Sequence, residues 1–182
     1  MAEELEVLKL VCRRLEKASI PYMVTGSIAA NFFAVPRMTR DIDIVIQIKK
    51  GDAPRLDEIF KNDFYIDQDS ITEAGEKRGM FNIIHYEYVF KVDFIVQKDS
   101  PYRKLQFERR RKVEMEGEPL WVTTPEDLIL SKLDWAKESG SELQLRDVQN
   151  LLHTLSDLDQ NYLQQWACVL GLEGIYSKVT HE

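Results

Sequence analysis
The residues Asp41-Ile42-Asp43-Ile44-Val45-Ile46-Gln47-Ile48 alternate strictly at their start: Ile42, Ile44, Ile46 and Ile48 share one face, Asp41 and Asp43 the other. A period of two marks a strand with one buried face, so this segment commits the chain to a β-sheet. It also poses a problem of charge. Two carboxylates side by side repel each other unless something neutralises them. A divalent cation does so well, because Mg²⁺ prefers hard oxygen ligands.

Two other segments bear on that charge. Gly26-Ser27 precedes Asp41 by thirteen intervening residues. Glycine removes the Cβ, the backbone amides point outward, and the serine hydroxyl adds a donor, so this step can approach a phosphate closely. A helix starting just after it would aim its positive end at the same place. In Lys91-Val92-Asp93-Phe94, Asp93 points away from the face of Val92 and Phe94. Pairing of strand 88–97 with strand 41–48 would bring it beside Asp41 and Asp43. Three carboxylates around two metal ions is the arrangement that in-line nucleotidyl transfer needs. One ion and Asp93 would activate the attacking hydroxyl; the other would hold the triphosphate and the departing pyrophosphate.

Periodicity predicts an amphipathic helix over 3–19, a strand from Tyr22, a helix over 28–34, and a helix over 52–61. Strands are expected over 81–86 and 88–97, forming a hairpin around Glu87, with further strands over 105–115 and 119–123. The stretch 62–79 is ambiguous. Thr124-Pro125-Glu126-Asp127 is a strong helix start: a capping hydroxyl, a proline at the first position, and two acids at the positive end of the dipole. Helices over 125–138, 142–155 and 159–170 follow. The expectation is an α+β fold, a mixed sheet with flanking helices over 1–123 and a C-terminal helical subdomain over 124–182.

With 182 residues, 44% of them hydrophobic and 30% charged, the chain can bury a core without disulfides or metals. A net charge of −7 argues against a generic nucleic-acid binder, although Arg103, Lys104, Arg109, Arg110, Arg111 and Lys112 form a local basic run. That run reads as a solvated strand edge or as a contact surface for RNA or nucleotide. Cys12 and Cys168 are expected as reduced, core or near-core thiols, and Trp121, Trp135 and Trp166 as core. His85, His153 and His181 show no metal-ligand spacing. No signal segment or membrane span is evident, so a cytoplasmic protein without membrane contact is expected.

The pattern Gly26-Ser27 with Asp41-Ile-Asp-Ile resembles the signature of the nucleotidyltransferase superfamily related to DNA polymerase β. Thr124-Pro-Glu-Asp-Leu-Ile-Leu-Ser-Lys-Leu-Asp, followed by Leu145-Arg-Asp-Val-Gln-Asn-Leu-Leu, is similar to the C-terminal helices of its AbiEii-type branch, which includes toxins of toxin–antitoxin systems. The resemblance covers roughly residues 5–155. It implies a nucleotidyltransferase fold and Mg²⁺ (or Mn²⁺) on Asp41, Asp43 and Asp93. It also implies a nucleoside triphosphate such as ATP bound through Gly26 and Ser27, and it matches Lys132 and Asp147 to a lysine and an acid placed near the nucleotide. The helical spacing independently sets Lys132 within an apolar stripe, suited to reaching into a cleft. Arg37 and Arg40, just before the acidic pair, suit phosphate or acceptor contact.

The implied reaction moves a nucleoside monophosphate to an acceptor hydroxyl on RNA, protein or a small molecule, with an antitoxin as a further possible partner. A non-catalytic nucleotide-binding or toxin–antitoxin interaction protein is the competing reading. A ribonuclease using Arg146 and His153 is a third. Asp41 and Asp43 also read as the solvent face of an edge strand. Asp93 reads alternatively as a partner of Lys91 or Arg40, and Asp147 as a partner of Arg146 and Glu142. Lys132 reads alternatively as a snorkelling lysine.

Overall fold
The computed structural model describes residues 2–39 and 41–181. In chain order they form α1 (Ala2–Lys17), β1 (Tyr22–Thr25), α2 (Gly26–Phe33), β2 (Asp41–Ile46), α3 (Ala53–Phe60), β3 (Phe64–Tyr65), α4 (Gln68–Lys77), β4 (Met80–His85) and β5 (Lys91–Val96). There follow α5 (Pro101–Glu108), β6 (Arg111–Met115), β7 (Glu118–Val122), α6 (Pro125–Ser139), α7 (Glu142–Thr154), α8 (Gln160–Val169) and α9 (Glu173–His181). Their contacts define two units. One runs up to Ile28 and resumes over Met38–Thr123; the other joins Ala29–Arg37 to the residues from Thr124 onward.

The first unit holds a seven-stranded mixed sheet in the order β3-β4-β5-β2-β1-β7-β6. β2 pairs antiparallel with β1 and parallel with β5, so it is central, and the edge-strand reading of Asp41 and Asp43 is excluded. Its alternation works as the sequence requires: Ile42, Ile44 and Ile46 are fully buried. Phe94 of β5 lies on the same face and packs against Phe60 of α3 (ring centroids 5.8 Å) and Phe81 of β4 (5.1 Å). Each such ring removed from water contributes roughly 1.5–3 kcal/mol. α1 buries Leu8, Val11, Cys12 and Leu15 at steps of three and four.

One expected strand begins too early. Residues 101–108 are helical, and the strand starts only at Arg111. The cause is local: the Ser100 hydroxyl accepts the Arg103 N–H at 3.3 Å, and Pro101 takes the first helical position. The ambiguous stretch 62–79 resolves into β3 and α4. Asp67 caps the start of α4, and Arg78, left-handed at φ 49°, ends it.

The second unit is helical. Thr124 caps α6 as its sequence suggests, accepting the Asp127 N–H at 3.3 Å and donating to Asp127 Oδ2 at 2.7 Å. The other Asp127 oxygen accepts Tyr162 Oη at 2.7 Å. α9 was not anticipated from the sequence. Two expectations are corrected here. Cys168 is exposed, because α8 turns it away from buried Leu163 and Ala167. Trp135 is 56% exposed, and Trp121 and Trp166 are half-buried rather than core. In α6, Leu128, Ile129 and Leu133 take the buried positions that Trp135 does not.

Candidate active site
The sheet register assembles a polar row. Thr25 of β1 faces Asp43 of β2, Asp43 faces Asp93 of β5, and Asp93 faces Asn82 of β4. Directly opposed residues project on one side of a sheet, so four strands each set one polar side chain into one line. In the neighbouring row Asp41 faces Lys91. The sequence anticipated the β2–β5 pairing and the approach of Asp93 to the Asp pair. It did not anticipate Thr25 or Asn82, and it offered Lys91 as an alternative partner of Asp93 but not as a neighbour of Asp41.

Lys91 has a defined position. Its Nζ lies 2.8 Å from Asp93 Oδ2 and 3.5 Å from Asp41 Oδ1. The contact with Asp93 matches one alternative drawn from the sequence, but the setting is not a wet face: the Asp93 side chain is only 8% exposed. The hydrogen bond to Asp93 raises the Lys91 pKa above its usual value, outweighing the cost of partial burial. The other Asp93 oxygen, Oδ1, is buried and has no hydrogen-bond partner among the described residues. Such an atom costs about 1–3 kcal/mol unless a ligand or ion satisfies it.

Gly26 ties the two motifs together. A Cβ at this position would stand 1.9 Å from Asp43 Oδ2 and 2.6 Å from Asp43 Cγ. The backbone is also left-handed there, at φ 64°. Only glycine fits, on both counts. The turn therefore brings the start of α2, with Ser27 as its second residue, directly against the Asp43 carboxylate.

The donors fit a hard divalent ion in kind: Asp43 and Asp93 are adjacent carboxylates, and Asp93 Oδ1 is a buried oxygen lacking a partner. A three-carboxylate cage is not formed. Among the described residues no three Asp, Glu, His or Cys side chains surround a point that would hold a metal. Asp41 instead points toward the Lys91 ammonium.

Lys132 and Asp147 lie in the second unit. Asp147 is 4% exposed and Lys132 3%. Lys132 Nζ donates to Asp147 Oδ2 at 2.7 Å and to Gln144 Oε1 at 2.9 Å. Arg37 grips both Asp147 oxygens, its Nε and Nη2 each at 2.9 Å. Arg37 is itself fixed by Asn31, which accepts its N–H at 2.9 Å and donates to its carbonyl at 2.7 Å. Burial pushes the Asp147 pKa up, but the hydrogen bonds from Arg37 and Lys132 overcome this and hold it below the ordinary aspartate range. Lys132 is thus neither a snorkelling lysine nor one extended into open space, because the buried acid pulls it inward. Asp147 pairs with Arg37 and Lys132 rather than with Arg146 and Glu142. Arg40 lies outside the described residues.

The basic run is divided between two elements. Arg103 and Lys104 sit on α5, and Lys104 pairs with Asp99 at 2.6 Å. Arg111 and Lys112 begin edge strand β6, while Arg110 stacks over Phe107 (4.2 Å) and Trp121 (4.9 Å). No helix of the described residues is long and apolar enough to cross a membrane.

No family model matches this sequence, and no curated protein sequence matches it. Solved structures do share its architecture. An antigenic nucleotidyltransferase-like protein from Paracoccidioides brasiliensis is 16% identical, covering 96% of this chain and 90% of that one, with a TM-score of 0.61. The antibiotic-resistance factor ANT(2'')-Ia is 13% identical over 99% of this chain and 96% of its own, also at 0.61. The lincosamide antibiotic adenylyltransferase LnuA, solved with lincomycin bound, is 14% identical over 85% of this chain and 97% of its own, at 0.54. The chain therefore has a nucleotidyltransferase fold.

Proposed function
We propose that this chain transfers a nucleoside monophosphate from a nucleoside triphosphate to an acceptor hydroxyl, releasing pyrophosphate. The observation that carries the proposal is the register of Asp43 beside Asp93, with Gly26 pressed against Asp43 and one buried Asp93 oxygen lacking a partner. The amides at the start of α2 and the Ser27 hydroxyl take phosphate oxygens. Asp93 Oδ1 accepts the proton of the attacking hydroxyl. The new bond forms between that oxygen and the α-phosphorus, and the bond from the α-phosphorus to the pyrophosphate oxygen breaks. A divalent ion, Mg²⁺ or Mn²⁺, held by Asp43 and Asp93 supplies charge neutralisation at the transferring phosphate when bound.

In this reading Arg40, by its position just before the acidic pair, contacts phosphate or acceptor, and Asp41 joins Asp43 and Asp93 as a metal ligand; the resemblance sets Lys132 and Asp147 near the nucleotide, where their mutual pairing with Arg37 would serve to hold the surrounding helices in place. An AbiEii-type relationship, and a toxin role answering to an antitoxin, rest on residues 124–134 and 145–152 in the same way. A small hydroxylated acceptor is supported by the fold shared with two proteins that handle antibiotics.

The test offers each of the four α-labelled nucleoside triphosphates, with Mg²⁺ or Mn²⁺, to the protein. RNA, lysate protein, and a panel of aminoglycosides and lincosamides serve as acceptors. Label should enter one acceptor class, and Asp43→Asn should lower the rate by about 10²–10³-fold. Transfer by Asp43→Asn at the wild-type rate would overturn the assignment. So would the absence of label in every acceptor class together with no metal-dependent nucleotide binding.

A further inference from the structure
A cavity of about 280 Å³ opens in the first unit beside Tyr22, which begins β1; Thr25, in the polar row, ends the same strand. Its walls include Glu16 of α1, Ile20, Pro21, Tyr22, Trp121 of β7, and Arg110 just before β6. Pockets for drug-sized ligands run to roughly 300–1,000 Å³, so this one suits a smaller molecule.

Arg110 is held but not satisfied. Its guanidinium lies over the rings of Phe107 (4.2 Å) and Trp121 (4.9 Å), and Nη1 donates to the Phe107 carbonyl at 2.6 Å. Nε is buried and has no hydrogen-bond partner among the described residues, and Nη2 has none there either. These two nitrogens form the side fork of a guanidinium, which takes both oxygens of a carboxylate. Arg37 uses the same two atoms to grip Asp147. Burial lowers the Arg110 pKa, and the charge of Glu16 opposes that shift. Yet Glu16 stays exposed on the cavity wall and forms no ion pair with Arg110 among the described residues.

The cavity thus presents a fork lacking a carboxylate, a carboxylate that does not close on it, and an aromatic wall. A phosphate or polyanion would satisfy Arg110 but meet Glu16 as a like charge, and an amine would do the reverse. A ligand carrying both charges satisfies both. We propose that this cavity binds a small apolar α-amino acid, its carboxylate on the Nε–Nη2 fork of Arg110, its ammonium toward Glu16 and its side chain against Trp121. The proposal is independent of the reading of the strand carboxylates.

The experiment follows the Trp121 indole N–H of the full-length chain by NMR, its signal assigned from Trp121→Phe. L-leucine, L-phenylalanine and L-tryptophan are titrated in turn, then 3-phenylpropanoate, phenethylamine and inorganic phosphate. At least one amino acid should shift the signal saturably and bind more tightly than the last three probes. Arg110→Lys keeps the charge but loses the fork, and should weaken that amino acid at least about tenfold. Glu16→Gln should weaken it by roughly two- to fivefold while leaving 3-phenylpropanoate unchanged. Circular dichroism checks that each variant is folded. Absence of a saturable shift with every amino acid would overturn the proposal. So would 3-phenylpropanoate or phosphate binding as tightly as the best amino acid, or unchanged affinity in Arg110→Lys. Should Arg110→Lys not fold, the ranking of probes in wild type and the effect of the exposed Glu16→Gln still decide the matter.

Discussion
Two ionic clusters in this chain have opposite balances. On the strand face of the first unit, Lys91 contacts Asp41 and one oxygen of Asp93, and the other, buried oxygen of Asp93 has no hydrogen-bond partner among the described residues. In the helices of the second unit, one acid meets two bases, and both oxygens of Asp147 are bonded. The second cluster has its acid saturated from within the protein; the first leaves one buried oxygen of Asp93 unsatisfied among the described residues. Buried polar atoms are nearly always satisfied, so the deficit points to an outside ligand, whereas saturation points to structure. Asp93 lies between Val92 and Phe94 on a strand, and Asp147 lies between Leu143 and Leu151 at helical steps of four, so each is an acid in an apolar setting. Only the count of their partners separates them.

The largest expected effect tests that separation directly. Asp147→Ala removes the acid shared by Arg37 and Lys132 and leaves a lysine that is 3% exposed without its ion-pair partner. Stability should fall by about 3–5 kcal/mol in urea denaturation. Asp43→Asn, by contrast, replaces one of two adjacent strand-face carboxylates and should change stability by no more than about 1 kcal/mol, although it removes activity. A loss of several kcal/mol on Asp43→Asn would break the comparison, because the strand cluster would then be structural too.

How much of this was legible follows from the range of the interactions. The strand face of β2 was readable because alternation is local, and Ile42, Ile44 and Ile46 are buried as it requires. The Thr124 cap was readable because its hydroxyl bonds three residues ahead. Ser100 uses the same device, but the basic, aromatic run after it reads as strand, and α5 was missed. The pairing of Asp43 with Asp93 was inferable only as a possibility, since the two lie fifty positions apart in the chain and no local pattern sets a parallel register. Lys91 was in plain view two residues from Asp93, but its bond to Asp41 exists only once β2 and β5 are in register. Arg37 and Asp147 are 110 residues apart, and no pattern in the sequence connects them.

Gly26 sharpens the comparison at an intermediate scale. Gly26→Ala would force a residue with a Cβ into a left-handed backbone and against Asp43 Oδ2. The cost should be about 1–3 kcal/mol, with Mn²⁺ affinity reduced because Asp43 must move. The helical cluster contains no glycine in such a position, so the Asp147 pairing should be indifferent to the change. Its Arg37 and Lys132 contacts, followed by NMR of their side-chain nitrogens, should be undisturbed. A Gly26→Ala protein with wild-type stability and metal affinity would mean that Asp43 relocates at no cost, and the fit of the two motifs would carry no functional weight.

The smallest effects lie at the two ends of the pH scale, where the clusters should fail in opposite directions. Asp147 has a pKa held below that of an unfolded aspartate, about 3.9. Its contribution is therefore present above that value and is lost as pH falls through the lower, folded value. The slope from one such group cannot exceed about 1.4 kcal/mol per pH unit, and Asp147→Asn should flatten it in acid. Lys91 has a pKa held above that of an unfolded lysine, about 10.4. Its contribution is present below that value and is lost as pH rises through the higher, folded one. Because its side chain is 40% exposed, the alkaline effect should be the weaker of the two. Urea midpoints measured through both windows should show Asp147→Asn lowering the neutral plateau and flattening the acid slope, and Lys91→Met flattening only the alkaline slope. If Lys91→Met altered the acid limb instead, the lysine would be acting by keeping its carboxylate neighbours ionised, and the two clusters would share one electrostatic logic after all.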